Sequence, residues 1–205
     1  MTSFPDKLTA RELFENVINL RNGSNCPFVD NQEYTFRKHC QGVALAAEKI
    51  SAAAGLDKNK AYVFGLLHDA GRILDEKTNN VYHFYTGYKY LNKLGYPEIA
   101  RISLTHSFYG KIIDESLYMK IPDIQECKKL LSNVEYDDYD RLIQLCDQMN
   151  NLGEFCTIEE RFADVFRRYQ YPQSKLKQHI DIVNEIKKGF DEKCGCDVYV
   201  LLGIK

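Results

Sequence analysis

Residues 61–72 read Ala61-Tyr-Val-Phe-Gly-Leu-Leu-His68-Asp69-Ala-Gly-Arg72, an apolar run that ends in an adjacent histidine and aspartate. The run predicts a buried helix over about 58–71. A buried imidazole and a buried carboxylate are each costly unless they find a partner, and a divalent cation would satisfy both. Read alone, His68 and Asp69 also fit ordinary capping and hydrogen-bonding roles near a helix end, so the rest of the chain has to decide.

The composition is that of a folded globular protein. The chain has 205 residues, 44% hydrophobic and 27% charged, which predicts one domain over residues 1–205. A formal charge of -2 leaves no basic surface for duplex nucleic acid but allows small anionic ligands. No signal peptide or membrane span is evident, so we expect a cytoplasmic protein without membrane contact. The 7 cysteines lack the spacing of a structural zinc site, and Cys194 and Cys196 are interpreted as part of a plain turn.

Apolar periodicity predicts an all-α bundle of about eight helices with almost no sheet. A lead-in helix runs from a capping box at Thr9 to Asn22, and the C-terminal tail is either a short strand or a helical turn. Residues 107–122 have no clear period and are interpreted as a mobile connection over the site. The other helices are predicted at about 31–55, 58–71, 83–95, 97–106, 123–131, 136–150, 157–169 and 173–190.

Four of the 5 histidines each lie in or at the edge of a predicted helix between residues 31 and 106; they are His39, His68, His83 and His106. His39 shares an apolar stripe with Val43, while His83 begins one helix and His106 ends another. A histidine on a buried face is more often a hydrogen-bonded core residue than a ligand, and that reading stays open for each one alone. His179 is interpreted as a surface or packing residue and not as a ligand.

Acidic and basic groups in the C-terminal half each have a simpler interpretation than ligand binding. Asp147 lies at the edge of an apolar face that includes Leu142 and Met149, where a surface aspartate is the simpler interpretation. The cluster Asp137, Asp138 and Asp140 is predicted to be a solvated helix start. The basic residues from 161 to 177 can hold an anion, but a charged outer face is the favoured interpretation.

His39, the pair His68 and Asp69, and Asp147 come from three predicted helices. Their two imidazoles and two carboxylates form a ligand set suited to Fe, Mn, Zn, Co or Mg. In this respect the sequence resembles the HD-domain superfamily of metal-dependent phosphohydrolases, over about residues 34–150. The resemblance rests on the order His39, then His68-Asp69-Ala-Gly-Arg72, then Asp147 in Gln-Leu-Cys-Asp-Gln-Met. It implies a metal-binding core over about 31–150 and a C-terminal helical extension over about 155–205.

His83 and His106 are similar to the two extra histidines of the family's binuclear branch. The resemblance then implies a first metal on His39, His68, Asp69 and Asp147, and a second on His83, His106 and a bridging oxygen of Asp69. The alternative is one metal, with His83 and His106 binding substrate phosphate directly. We therefore expect one or two divalent metal ions as cofactors.

The implied activity is hydrolysis of a nucleotide or related small phosphoester or phosphoanhydride by metal-activated water, with Asp69, His68 and Arg72 as catalytic residues. Arg72 and Arg37 are candidate phosphate clamps, and Lys111 is a candidate substrate contact from the 107–122 connection. Two other functions remain open: a di-iron oxygenase of the HD type, and a module that senses a nucleotide without turning it over. The C-terminal helices could supply an interface for a homo-oligomer.

Overall fold

The secondary structure of the described residues is almost entirely helical, as predicted. A computed structural model describes residues 4–24, 31–74, 82–113, 124–169 and 173–205. Within these ranges the remaining elements are a single-turn 3-10 helix, Tyr109–Lys111, and a two-stranded antiparallel hairpin of β1 (Asn150–Asn151) and β2 (Glu154–Phe155). The α-helices are α1 (Lys7–Asn22), α2 (Gln32–Ala53), α3 (Lys58–Leu67), α4 (Ala70–Leu74), α5 (His83–Lys93), α6 (Pro97–Thr105), α7 (Ile124–Asn133), α8 (Asp138–Asp147), α9 (Ile158–Tyr169), α10 (Gln173–Cys194) and α11 (Val198–Leu202).

The helix predicted over 58–71 is divided in two. Helix α3 ends at Leu67 and α4 begins at Ala70, so His68 and Asp69 lie at the junction. The backbone tightens there, because the Arg72 N–H donates to the carbonyl of Asp69, three residues earlier, at 2.9 Å. The His–Asp pair therefore occupies a helix break instead of the last turn of one helix.

Most other predicted boundaries agree with the structure to within a few residues. The cap of α1 is an exception, because Asp6 and not Thr9 accepts the capping hydrogen bond, from the Thr9 N–H at 2.8 Å. The capping box at Thr157 and Glu160 is present, and the C-terminal tail forms the helical turn α11. Most of the segment between the predicted helices that end at Asn22 and begin near 31, most of that between 71 and 83, and most of the 107–122 connection lie outside the described residues.

Helices α2 and α3 pack closely at the centre of the core. A Cβ placed on Gly65 of α3 would lie 2.7 Å from the Ala44 Cα of α2, so the two backbones approach more closely than any side chain would allow. Buried residues from α1 to α11 join this core, including Phe14, Phe64 and Val198. The close crossing brings the C-terminal end of α3 beside α2. None of the described helices is both long enough and apolar enough to cross a lipid bilayer.

A second close approach joins α4 to α5. A Cβ on Gly71 would lie 1.8 Å from the His83 carbonyl oxygen and 2.5 Å from the Gly87 nitrogen. On the other side of α5, a Cβ on Gly87 would lie 2.2 Å from the Ser103 Oγ of α6. Small residues at these contacts hold the start of α5 directly against the His68–Asp69 junction.

The acidic start of α8 is not fully solvated, contrary to the prediction. Asp140 is 0% exposed and accepts a 2.7 Å hydrogen bond from the Thr105 Oγ1, while Arg101 lies 3.3 Å away. Burial raises the pKa of Asp140, although these partners oppose the effect. Gln144, one turn further along α8, donates to the Thr105 carbonyl at 2.9 Å. This buried network fixes the end of α6 against α8.

Candidate metal centre

Six predicted ligands converge on one buried cluster. They come from four parts of the fold: α2, the α3–α4 junction, the start of α5 with the end of α6, and the end of α8. Each is at most 8% exposed. The residues are His39, His68, Asp69, His83, His106 and Asp147. The structure brings all six together, and their binding of metal stays a prediction.

Asp69 lies at the centre of the cluster, and its two carboxylate oxygens face different histidines. Oδ1 is 3.3 Å from His83 Nε2 and 3.2 Å from His106 Nε2. Oδ2 is 3.8 Å from His39 Nε2 and 3.7 Å from His68 Nε2. One carboxylate is thus placed between two pairs of imidazole nitrogens.

Asp147 completes the side of the cluster that faces α2. Its Oδ1 is 3.1 Å from His39 Nε2 and 4.0 Å from His68 Nε2. Two sets of three residues offer ligand atoms that lie within 4.8 Å of one another. These sets are His39, His68 and Asp147, and His68, Asp69 and His106.

Backbone carbonyls set the tautomers of two of these histidines. His68 Nδ1 is 2.7 Å from the Gly65 carbonyl oxygen, and His106 Nδ1 is 2.8 Å from the Ser103 carbonyl oxygen. Because a carbonyl only accepts, each Nδ1 carries the proton and each Nε2 presents a lone pair to the cluster. This is the arrangement that a metal-binding histidine requires.

His39 is oriented by a residue that the sequence did not indicate. Asn150 follows α8 in strand β1, and its Oδ1 is 3.2 Å from His39 Nδ1 while accepting the Gly153 N–H at 3.0 Å. Gly42 leaves room for this side chain, since a Cβ there would lie 2.1 Å from Asn150 Nδ2. The contact spans 111 residues of sequence. No local pattern reveals such a contact.

Replacing Asn150 with alanine is expected to weaken metal binding by roughly 10- to 100-fold, because outer partners of ligating histidines have effects of that size. Calorimetric titration of the metal-free protein with Mn²⁺ measures the change. The neighbouring Asn151→Ala is the matched control and should bind as the wild type does. Equal affinities in the two variants would show that Asn150 does not orient His39.

The ionisation states of the cluster suit metal binding at neutral pH. Burial lowers the pKa of His68 to about 4, so its imidazole is neutral at pH 7. Burial alone would raise the pKa of Asp69, but Arg72 and the imidazoles of His68 and His83 outweigh it and hold that pKa well below its usual range. The pKa of Asp147 is likewise held low against burial, by the imidazoles of His39 and His68 and by a nearby arginine.

Two buried atoms support the fit to a metal ion. His68 Nε2 and Asp69 Oδ1 have no hydrogen-bond partner among the described residues. In addition, His106 Nε2 faces Asp69 Oδ1 at 3.2 Å with a lone pair on each atom, because the His106 proton is on Nδ1. Such contacts are costly in a buried site unless a cation lies among them. A divalent cation held by nitrogen and carboxylate ligands would remove the cost.

The candidate substrate residues have different surroundings. Arg72 donates from Nε to Asp69 Oδ2 at 2.5 Å, which places its guanidinium at the cluster. Arg37 forms ion pairs with Glu15 at 2.5 Å and with Glu33 at 2.8 Å. Lys111 lies in the 3-10 helix, where its Nζ is 5.5 Å from the centre of the Tyr136 ring. The substrate roles of all three stay predictions, and only Arg72 is described in contact with a cluster residue.

The basic residues of α9 are not all on an outer face, contrary to the favoured interpretation. Arg161 is only 8% exposed, and its Nη2 is 3.8 Å from Asp147 Oδ1. By contrast, Arg167 on the same helix has an exposed side chain. The sequence pattern missed Arg161 because it directly follows Glu159 and Glu160 in the charged first turn of the helix.

His179 has the environment of a packing residue. Its ring lies 5.8 Å from that of Tyr109, 6.2 Å from that of Phe162 and 6.4 Å from that of Phe166, measured between ring centres. These rings come from α9 and the 3-10 helix. Neither candidate metal-binding set of the described residues includes His179.

Comparison with known proteins gives one assignment. The sequence model of the HD domain matches residues 36–152, a segment that contains all six residues of the cluster. No curated protein and no solved structure matches the chain. The matched segment is more than half of the chain, and its histidines and aspartates form the buried cluster described above. The chain therefore belongs to the HD-domain family, a superfamily of metal-dependent hydrolases.

Proposed function

We propose that the protein is a phosphohydrolase that uses two divalent metal ions to cleave a small phosphorylated substrate of the nucleotide type. The observation that supports this function most directly is the charge balance of the cluster. Asp69 lies against the Arg72 guanidinium, and Asp147 lies near the Arg161 guanidinium. Two carboxylates are therefore already matched by two arginines before any metal ion is counted.

That balance favours an anionic substrate. Each divalent ion would add two positive charges to a buried site whose own charges already offset one another, and uncompensated charge in such a site is strongly unfavourable. A substrate with phosphoryl groups brings the missing negative charge. A neutral organic substrate does not.

The geometry around Asp69 supports the binuclear arrangement. His39, His68 and Asp147 would hold one ion with Asp69 Oδ2, and His83 and His106 would hold the other with Asp69 Oδ1. Divalent ions held in this way supply an activated water near neutral pH and neutralise charge on phosphoryl oxygens. The buried and ionised carboxylate of Asp69 lies between the two pairs of histidines that would hold these ions.

The chain's own residues then have separate tasks. Arg72 holds Asp69 in place through its Nε and would place a guanidinium charge beside a phosphoryl oxygen bound at the cluster. Ser107 Oγ lies 3.0 Å from His106 Nε2 and 3.3 Å from His83 Nε2, so it limits the space available on that side. The burial of all six cluster residues excludes bulk water.

The test is hydrolysis of a panel of nucleotides and dinucleoside polyphosphates by metal-stripped protein reloaded with Mn²⁺ or Co²⁺, followed both by release of inorganic phosphate and by chromatography of the nucleotide products. We expect turnover without oxygen and its loss on adding a chelator. Product formation that requires iron and consumes oxygen would favour the oxygenase instead. Tight nucleotide binding without turnover under every metal condition would favour the sensing module.

A further inference from the structure

Arg161 occupies a position that a simple structural ion pair does not explain. It lies in the first turn of α9, outside the segment that matches the HD domain, and is 8% exposed. Its Nη2 is 3.8 Å from Asp147 Oδ1, and its Nη1 is 3.8 Å from Asp164 Oδ2. Both distances are longer than a hydrogen bond.

The guanidinium retains unused donors. Its Nε is buried without a hydrogen-bond partner among the described residues, and no hydrogen bond within the described ranges uses either Nη. An arginine that only balanced a carboxylate would close to about 2.8 Å and pair bidentately. Arg72 does close to hydrogen-bond distance of Asp69, with its Nε 2.5 Å from Oδ2.

The second carboxylate near Arg161, that of Asp164, already forms an ion pair with another arginine. Asp164 lies 3.0 Å from Arg167 Nη2, and the Arg167 side chain is 80% exposed. Arg161 therefore offsets the charge of Asp147 at 3.8 Å but keeps N–H groups that no hydrogen bond among the described residues uses, beside a predicted metal ligand. Buried donors of this kind cost free energy unless an acceptor such as a phosphoryl oxygen binds to them.

We infer that Arg161 binds a phosphoryl oxygen of the substrate on the Asp147 side of the cluster, whereas Arg72 serves the Asp69 side. This inference rests on the proposed function. A planar guanidinium matches two phosphoryl oxygens at once, which a single ammonium does not. His39 Nε2 lies between the two carboxylates, 3.1 Å from Asp147 and 3.8 Å from Asp69, so the two arginines flank one site.

The experiment is calorimetric titration of the full-length, Mn²⁺-loaded protein with inorganic phosphate. Arg161→Gln should bind phosphate roughly 10- to 100-fold more weakly than the wild type, as expected for the loss of a charge-assisted hydrogen bond. Its Mn²⁺ content and affinity should remain those of the wild type. The matched control is Arg167→Gln on the same helix, which should bind phosphate normally.

Each other outcome has a defined meaning. Equal phosphate affinity in Arg161→Gln and wild type would overturn the inference and leave the proposed function standing. A parallel loss of Mn²⁺ would also overturn it, since Arg161 would then only support Asp147. If the loaded wild type does not bind phosphate at all, the proposed function and the inference both fail.

A second variant covers the case in which Arg161→Gln does not fold, as judged by thermal unfolding. Arg161→Lys keeps the charge but loses the planar fork, and we expect phosphate binding about 3- to 10-fold weaker than wild type with Mn²⁺ binding intact. Wild-type phosphate affinity in Arg161→Lys would contradict the bidentate contact.

Discussion

Replacing Asp69 with asparagine is expected to reduce phosphate release by roughly 10³-fold or more, because metal ions contribute several kcal/mol of transition-state stabilisation in such sites. Asp69 is the residue whose two oxygens face both histidine pairs, at 3.2 to 3.8 Å. The asparagine amide has no charge, and its NH2 group, a hydrogen-bond donor, replaces one of these oxygens. Both metal positions should therefore be weakened together.

The measurement combines elemental analysis of metal per chain with the initial rate of phosphate release. Asp138→Asn is the matched control, because Asp138 pairs with Lys193 on the other side of α8 and is partly exposed. It should retain wild-type metal content and rate. A fully active Asp69→Asn protein would refute the assignment of the site.

Gly71→Ala is expected to lower both stability and metal content. The new Cβ would lie 1.8 Å from the His83 carbonyl oxygen, so α4 and α5 have to separate. Overpacking of this kind costs about 3 kcal/mol, against about 1 kcal/mol gained from the helix propensity of alanine. The midpoint of thermal unfolding should fall by roughly 4–8 °C.

The same separation moves His83 away from Asp69, so the metal content should fall from two ions per chain to about one. Gly189→Ala is the control, because a Cβ at Gly189 of α10 would meet nothing within 4 Å. That variant should be neutral or slightly stabilised. A Gly71→Ala protein that unfolds at the wild-type temperature would contradict the close approach of α4 and α5.

The helices and the positions of the histidines on them follow from local sequence patterns. Helical spacing placed His39 on the stripe that contains Val43, and that stripe faces the core of the structure. Gly95 follows the end of α5 and Pro97 begins α6, and the predicted helices place His83 and His106 at the other termini of these two helices, as the structure does. Long, strongly periodic helices are the elements that sequence reasoning predicts best.

Local pattern did not reveal the break at His68 and Asp69. The apolar run leads up to His68 without a proline that would mark a break, and the tightened hydrogen bond from Arg72 to Asp69 depends on the packing of α4 against α5. Asp140 was missed for a related reason. Its partners Thr105 and Arg101 come from α6, about 35 residues away, so its burial is a property of the tertiary structure.

Asn150 and Arg161 were missed for the same reason, because their contacts are made only in the tertiary structure. Neither is marked by a motif, and each acquires its role only when the chain after α8 folds back on the cluster. Arg161 in particular has the sequence context of a solvated helix face, but in the structure it is buried beside Asp147. The C-terminal helices are therefore part of the proposed substrate site, and not only a support for it.

The most direct test of the account is a calorimetric titration of metal-stripped wild-type protein with Mn²⁺. The account predicts saturable binding of two ions per chain, since two pairs of histidines face the two oxygens of Asp69. Saturation at one ion would retain the first metal position and contradict the binuclear arrangement. The absence of saturable binding would contradict the central claim that this buried His–Asp cluster is a metal centre.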